Sequence, residues 1–161
     1  MLENINNIYK DKTILISGGT GYIGSSLTSA LSEINCKLKV LSGPSNTWAP
    51  EYKNASMTIL SGDISNFSFW GEIINDVDFI FHLASVEGLN SHQREAEVNA
   101  ISMLHLISAC KSRGLSPKIV FASSANIYGS VASVPVNEKF RDNPESIFSI
   151  HKLLVEQYLQ L

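Results

Sequence analysis

Apolar residues follow two alternating rhythms along this 161-residue chain. Some form short unbroken runs, and others return every three or four positions over longer stretches. Such alternation predicts βαβ units, in which the short runs are strands covered on both faces and the 3.6-period stretches are helices. TILIS (13–17) predicts a first strand, and 21–34, with Ile23, Leu27, Leu31 and Ile34 on one stripe, a first helix. LKVLS (38–42) and MTILS (57–61) predict the second and third strands. Gly43, Pro44 and Pro50 make the stretch between them a loop. DFIFHLA (78–84) predicts the fourth strand. The stretch 94–114 follows as a helix of about six turns, ending at Gly114, where a left-handed cap costs little. KIVFASS (118–124) predicts the fifth strand. A polar segment with Gly129, Pro135, Asn143 and Pro144 then leads to a last helix from about Ser146. Without repeats or a linker, residues 1–161 read as one α/β domain.

Composition narrows the function classes. With 44% hydrophobic residues, 17% charged residues and a net charge of −3, the chain carries no excess of positive charge for a polyanion, so no nucleic-acid partner is expected. Cys36 and Cys110 lack metal-type spacing and read as buried thiols in a reducing compartment. MLENINNIYK is too polar for a secretory signal, and no apolar run approaches the ~18 residues of a membrane span. The expectation is a cytoplasmic protein. His82, His92, His105 and His151 show no metal-ligand spacing, so no metal is assigned, and His105 on an apolar face reads as a satisfied core residue.

Chemistry enters at the first strand–helix joint, Ser17-Gly18-Gly19-Thr20-Gly21-Tyr22-Ile23-Gly24. Here Gly18 permits a tight turn, Gly21 lets the backbone approach a pyrophosphate, and Gly24 lets helix pack closely on strand. The helix N-terminus offers free N–H groups to phosphate oxygens. The GGTGYIG spacing resembles the extended short-chain dehydrogenase/reductase family, the NAD-dependent epimerase/dehydratase group acting on nucleotide sugars. Further matches are SGDI (61–64), FHLA (81–84), Asn99 in EVNAISM and SSANIYG (123–129). The resemblance runs from Thr13 to Leu161. It implies a Rossmann-like doubly wound parallel sheet of order 3-2-1-4-5. The implied cofactor contacts are Gly18, Gly21, Tyr22, Ile23, Gly24, Asp63, Ile64, Leu83, Ala84, Asn99 and Lys152, with Asp63 and Ile64 at the adenine.

The same resemblance implies catalysis by a Ser, a Tyr and a Lys, in which Lys holds the nicotinamide ribose and the phenolate takes a sugar hydroxyl proton. Ser124 and Lys152 match, but Phe148 stands at the Tyr position and His151 where Ser or Thr is usual. Three readings of Phe148 stay open: an inactivating substitution, replacement by another acid–base group (Tyr128, His151 and Glu87 qualify by residue type), or a noncatalytic dinucleotide-binding or assembly module. The end of the second strand, VLSG (40–43), has neither an acid for the ribose diol nor an Arg for a 2′-phosphate, which favours NAD over NADP. Family members continue into further strands and a substrate domain, so the resemblance also implies truncation before the sugar pocket. It implies a homodimer through the family's fourth and fifth helices, here 94–114 and the last helix. Ile147, Ile150, Leu154, Tyr158 and Leu161 make the last helix more apolar than one sheet face requires.

Overall fold

The computed structural model describes residues 2–43, 56–88, 90–131, 134–140 and 142–161, with side chains from Asn6 onward. Beyond Gly43, the loop expected before the third strand lies outside the described residues. Five parallel strands, β1 (Thr13–Ser17), β2 (Lys37–Ser42), β3 (Ser56–Ser61), β4 (Phe79–His82) and β5 (Lys118–Phe121), form one sheet in the order β3-β2-β1-β4-β5. This is the anticipated order. Central β1 pairs Ile14 with Leu38 on one side and Phe79 on the other, and all five of its residues are buried.

Because strand side chains alternate, each strand serves two cores. Leu15, Leu41 and Ile80 face a layer containing Trp70 of α3 (Phe67–Ile73), Met103 and Leu106 of α5 (Ser102–Ser112), and Val155 of α6 (Ile147–Gln160). Ile14, Ile16, Leu38 and Val40 face the other layer, with Leu31 of α2 (Tyr22–Ser32) and Tyr9 of α1 (Leu2–Tyr9). The Tyr9 ring meets Phe79 edge-on at 5.0 Å.

Several elements depart from the periodicity. Two helices, α1 and α3, give no long periodic signal because they span only 8 and 7 residues. Nevertheless Trp70 of α3 is fully buried, its indole N–H donating to the Ile64 carbonyl at 2.8 Å. The helix expected over 94–114 begins earlier, with α4 (His92–Ala96), and contains a π-helical turn at Glu97–Ile101 before α5. It ends at Gly114 with φ +66°. Ile23 is not in the core stripe, being 62% exposed, while the buried face of α2 is Gly24, Thr28, Leu31 and Ser32. Small residues there let the helix start lie against the glycine turn. β4 and β5 are shorter than their apolar runs, because Leu83–Ala84 and Ala122–Ser124 leave the sheet at its carboxyl edge.

Candidate functional site

At that carboxyl edge the glycine turn is built by close contact. Gly18 has φ +69°, and a Cβ on it would lie 2.7 Å from the Ala84 nitrogen. A Cβ on Gly24 would overlap the Gly18 carbonyl oxygen. Both constraints exclude side chains and hold the start of α2 against the ends of β1 and β4. Gly21 is the α2 N-cap and supplies no capping side chain. By contrast Asn66, Ser91, Ser124 and Ser146 each cap the turn or helix they precede. The first N–H groups of α2 are therefore left without a capping side chain beside an open cleft, the arrangement that receives phosphate oxygens.

This cleft encloses ≈ 240 Å³ between the glycine turn, Leu41–Gly43, Gly62–Ile64, Ala84–Val86, Arg94 and Val98. It gathers Gly18, Gly21, Asp63, Ile64 and Ala84 from the residues singled out in the sequence. Gly24 lies beneath the turn, and Leu83 packs behind the cleft in the second core. Tyr22 and Ile23 do not line it; their side chains are 95% and 62% exposed. Asn99 serves it indirectly. Buried in the π turn, it donates to the Val86 carbonyl at 2.6 Å and accepts the Val86 N–H at 2.8 Å, fixing the loop after β4.

Arg94 gave no sequence signal. Its Nη2 donates to Asp63 Oδ2 at 2.6 Å, while Nη1 donates to Ser65 Oγ at 2.6 Å and to Glu97 Oε2 at 3.3 Å. Asp63 also accepts from the Ser65 N–H and hydroxyl. Burial acts to raise its pKa, but these hydrogen bonds and the Arg94 charge outweigh it and hold the carboxyl below its ordinary range. Only the short Arg94–Glu97 spacing is legible in sequence; Asp63 lies 31 residues away.

The second half of the site lies at the end of β5. Ser124 caps a short 3₁₀ turn (Ala125–Tyr128), its hydroxyl accepting the Asn126 N–H at 3.2 Å. On α6, Lys152 is only 3% exposed, and its ammonium donates to the Ala122 carbonyl at 2.9 Å. The ammonium lies 4.8 Å from the Phe121 ring centroid and 5.3 Å from that of Phe148. Burial without a carboxylate partner lowers its pKa from 10.5 to about 8. Phe148 and Lys152 do share a helix face, as their spacing requires, and the ring forms part of the ammonium's housing. Beneath them His82 stacks on Phe121. Ser17 Oγ accepts the Ala84 N–H at 3.3 Å and shares a second hydrogen bond with His82 Nδ1 at 2.9 Å. Burial, then the Lys152 charge, lowers the His82 pKa to about 3, so this ring is neutral.

The other acid–base candidates sit differently. Tyr128 packs edge-on against Phe140 at 6.3 Å, and Glu87 is exposed in the loop after β4. His151 faces Glu95 and His92 of α4, and its Nδ1 is buried without a hydrogen-bond partner. The expectation of a satisfied His105 is also corrected. Its Nδ1 is likewise unpartnered, and the ring instead meets Phe67 edge-on at 5.6 Å, an aromatic contact that apolar spacing does not reveal. Cys36 and Cys110 are buried free thiols. Among the described residues no group of three or more His, Cys, Asp and Glu could hold a metal, and no helix is long and apolar enough to cross a membrane.

Residues 14–161 match the NAD dependent epimerase/dehydratase family. UDP-glucuronate 4-epimerase 1 of Arabidopsis thaliana is 29% identical over 160 residues, covering 90% of this chain and 37% of its own. UDP-glucose 4-epimerase of Azospirillum brasilense is 29% identical over 157 residues, covering 91% and 43%. Among solved structures, UDP-N-acetylglucosamine 4-epimerase from Methanobrevibacter ruminantium M1, in complex with UDP-N-acetylmuramic acid, superposes with a TM-score of 0.82 at 27% identity, covering 94% of this chain and 50% of that one. The chain thus spans between about a third and a half of the length of these relatives.

Proposed function

This chain belongs to the NAD dependent epimerase/dehydratase family, of the extended short-chain dehydrogenase/reductase type, and from that premise we propose that it is the dinucleotide-binding part of an enzyme acting on a nucleotide sugar. One observation carries the reading: the open cleft at the glycine turn shares its sheet edge with a buried ammonium, Lys152, and a strand-end hydroxyl, Ser124. The uncapped start of α2 suits a diphosphate, and Asp63 and Ile64 suit an adenine. Bound NAD would supply a hydride acceptor for a sugar carbinol. In this reading Ser124 orients the carbinol by its hydroxyl, and Lys152 holds the nicotinamide ribose from the protein interior. The neutral His82 beneath keeps a second positive charge away from Lys152.

Phe148 takes the family's tyrosine position and cannot accept a proton. Loss of a positioned acid–base group typically costs ~10² to 10⁴ in rate. Phe148→Tyr would add a hydroxyl to a ring that already lies beside Lys152, so hydride transfer from a UDP-sugar to NAD should rise at least about tenfold. The comparison uses protein that includes a substrate-binding half. Equal rates in the two forms would assign the proton to another group. The second reading, a noncatalytic binding module, is favoured by the absence of that same hydroxyl; it requires NAD(H) to bind while neither form turns over.

Exposed apolar side chains, Ile101 and Leu104 at the π turn and α5 and Ile147, Ile150 and Leu154 on α6, each at least 37% exposed, are proposed to meet their own copies about a two-fold axis. Buried free thiols at Cys36 and Cys110 suit a cytoplasmic setting.

A further inference from the structure

At the adenosine end of the cleft, β2 ends at Ser42 and is followed by Gly43, and these offer neither a carboxylate to a ribose diol nor a cation to a phosphate. Among the described residues, the ionised side chains that line the cleft are Asp63 and Arg94. They are committed to each other. Arg94 Nη2 engages Asp63 at 2.6 Å, and Nη1 engages Glu97 at 3.3 Å and Ser65 at 2.6 Å. Two carboxylates thus share one guanidinium, and the cluster carries one net negative charge. It also has fixed ends: Asp63 follows β3, and Arg94 and Glu97 lie at α4 and the π turn that continues it. A guanidinium has five N–H donors. Three are used, leaving two for neutral acceptors such as a purine nitrogen or a ribose hydroxyl.

We propose that Arg94 is the specificity-determining residue of the cleft: held between Asp63 and Glu97, it leaves no uncompensated positive charge among the described residues that line the cleft, so the cleft takes NAD(H) and rejects the 2′-phosphate of NADP(H). This rests on the cofactor reading above. A phosphate monoester brings about −1.5 to −2 charges at neutral pH, and a cluster of net −1 repels it. The adenosine of NAD has a hydroxyl at that position and meets no such opposition. The missing acid at the end of β2 is then no obstacle to discrimination, because the selectivity resides in the charge balance across β3 and α4.

The test is titration of the full chain with NADH and NADPH, followed by calorimetry and nicotinamide fluorescence at about 50 and 200 mM salt. The unaltered chain should prefer NADH. Glu97→Gln, an isosteric change at a side chain 33% exposed, gives Arg94 one acid instead of two. The NADPH-to-NADH affinity ratio should rise about tenfold, and the gain should shrink at the higher salt. Arg94→Gln leaves two acids unopposed and should weaken NADPH more than NADH. If Arg94 is merely a clamp between β3 and α4, both variants weaken both dinucleotides equally, and the proposal is overturned. Preference of the unaltered chain for NADPH overturns it while leaving the cofactor reading intact; binding of neither dinucleotide removes both.

Discussion

Replacing Lys152 by Met should stabilise this protein at neutral pH and destabilise it in alkali. The amine is 3% exposed, and burial brings its pKa from 10.5 to about 8. A gap of about 2.5 pH units corresponds to about 3 kcal/mol, since one unit is 1.36 kcal/mol. Between pH 8 and 10.5 the unfolded chain holds a proton that the folded chain has released, so wild-type stability contributed by this group rises with pH across that window. Below pH 8 the folded state bears the full burden of a buried charge. The hydrogen bond to Ala122 and the two ring contacts offset part of it, by roughly 1–2 kcal/mol. Met retains most of the apolar stem and removes the charge. Lys152→Met is therefore expected to be about 1–2 kcal/mol more stable at pH 7 and about 1 kcal/mol less stable above pH 10, where the neutral amine keeps its hydrogen bond. Urea unfolding of both proteins from pH 7 to 10.5 measures this, because titration of the other lysines and tyrosines cancels in the difference. A stability difference that stays flat across the window, or a variant weaker at pH 7, would refute the reasoning. A gain in stability at a residue assigned to cofactor binding fits the general conflict between stability and function.

Two further substitutions test other parts of the site. Gly21→Val should abolish NADH binding while moving the cofactor-free melting temperature by no more than about 4 °C: Gly21 has φ −78°, which Val adopts, and its Cβ would lie 3.2 Å from the Gly18 carbonyl, a contact that small adjustment relieves. Retained binding would remove the diphosphate from the glycine turn. Leu154→Glu, on the α6 face left 37% exposed, should convert a dimer at micromolar concentration to a monomer in sedimentation; a wild-type chain that is already monomeric shows that no second copy covers this face.

Local pattern was sufficient for much of the architecture. The unbroken TILIS run required a strand buried on both faces, and apolar runs alternating with helical stretches indicated strands in βαβ units; their order, β3-β2-β1-β4-β5, was anticipated from the family resemblance of the motifs at the strand ends. The glycine turn and its neighbours Asp63, Ile64 and Ala84 were legible because each sits at a strand end, and parallel strands place their carboxyl ends together. Ser124 and Lys152 were found through the family resemblance, by their match to its serine and lysine positions. Tertiary structure decided the rest. Hydrophobic period reports burial along one element, but it could not show that Ile23 points outward, because that depends on how closely α2 must approach the Gly18 carbonyl. Nor could it reveal α3, whose 7 residues span barely two turns and are held by the burial of Trp70. The pairing of Arg94 with Asp63, the grip of Asn99 on Val86 and the cage of Phe121 and Phe148 around Lys152 each join residues from different elements. Their electrostatics arise from water excluded by segments distant in sequence, and that exclusion exists only once the sheet has assembled.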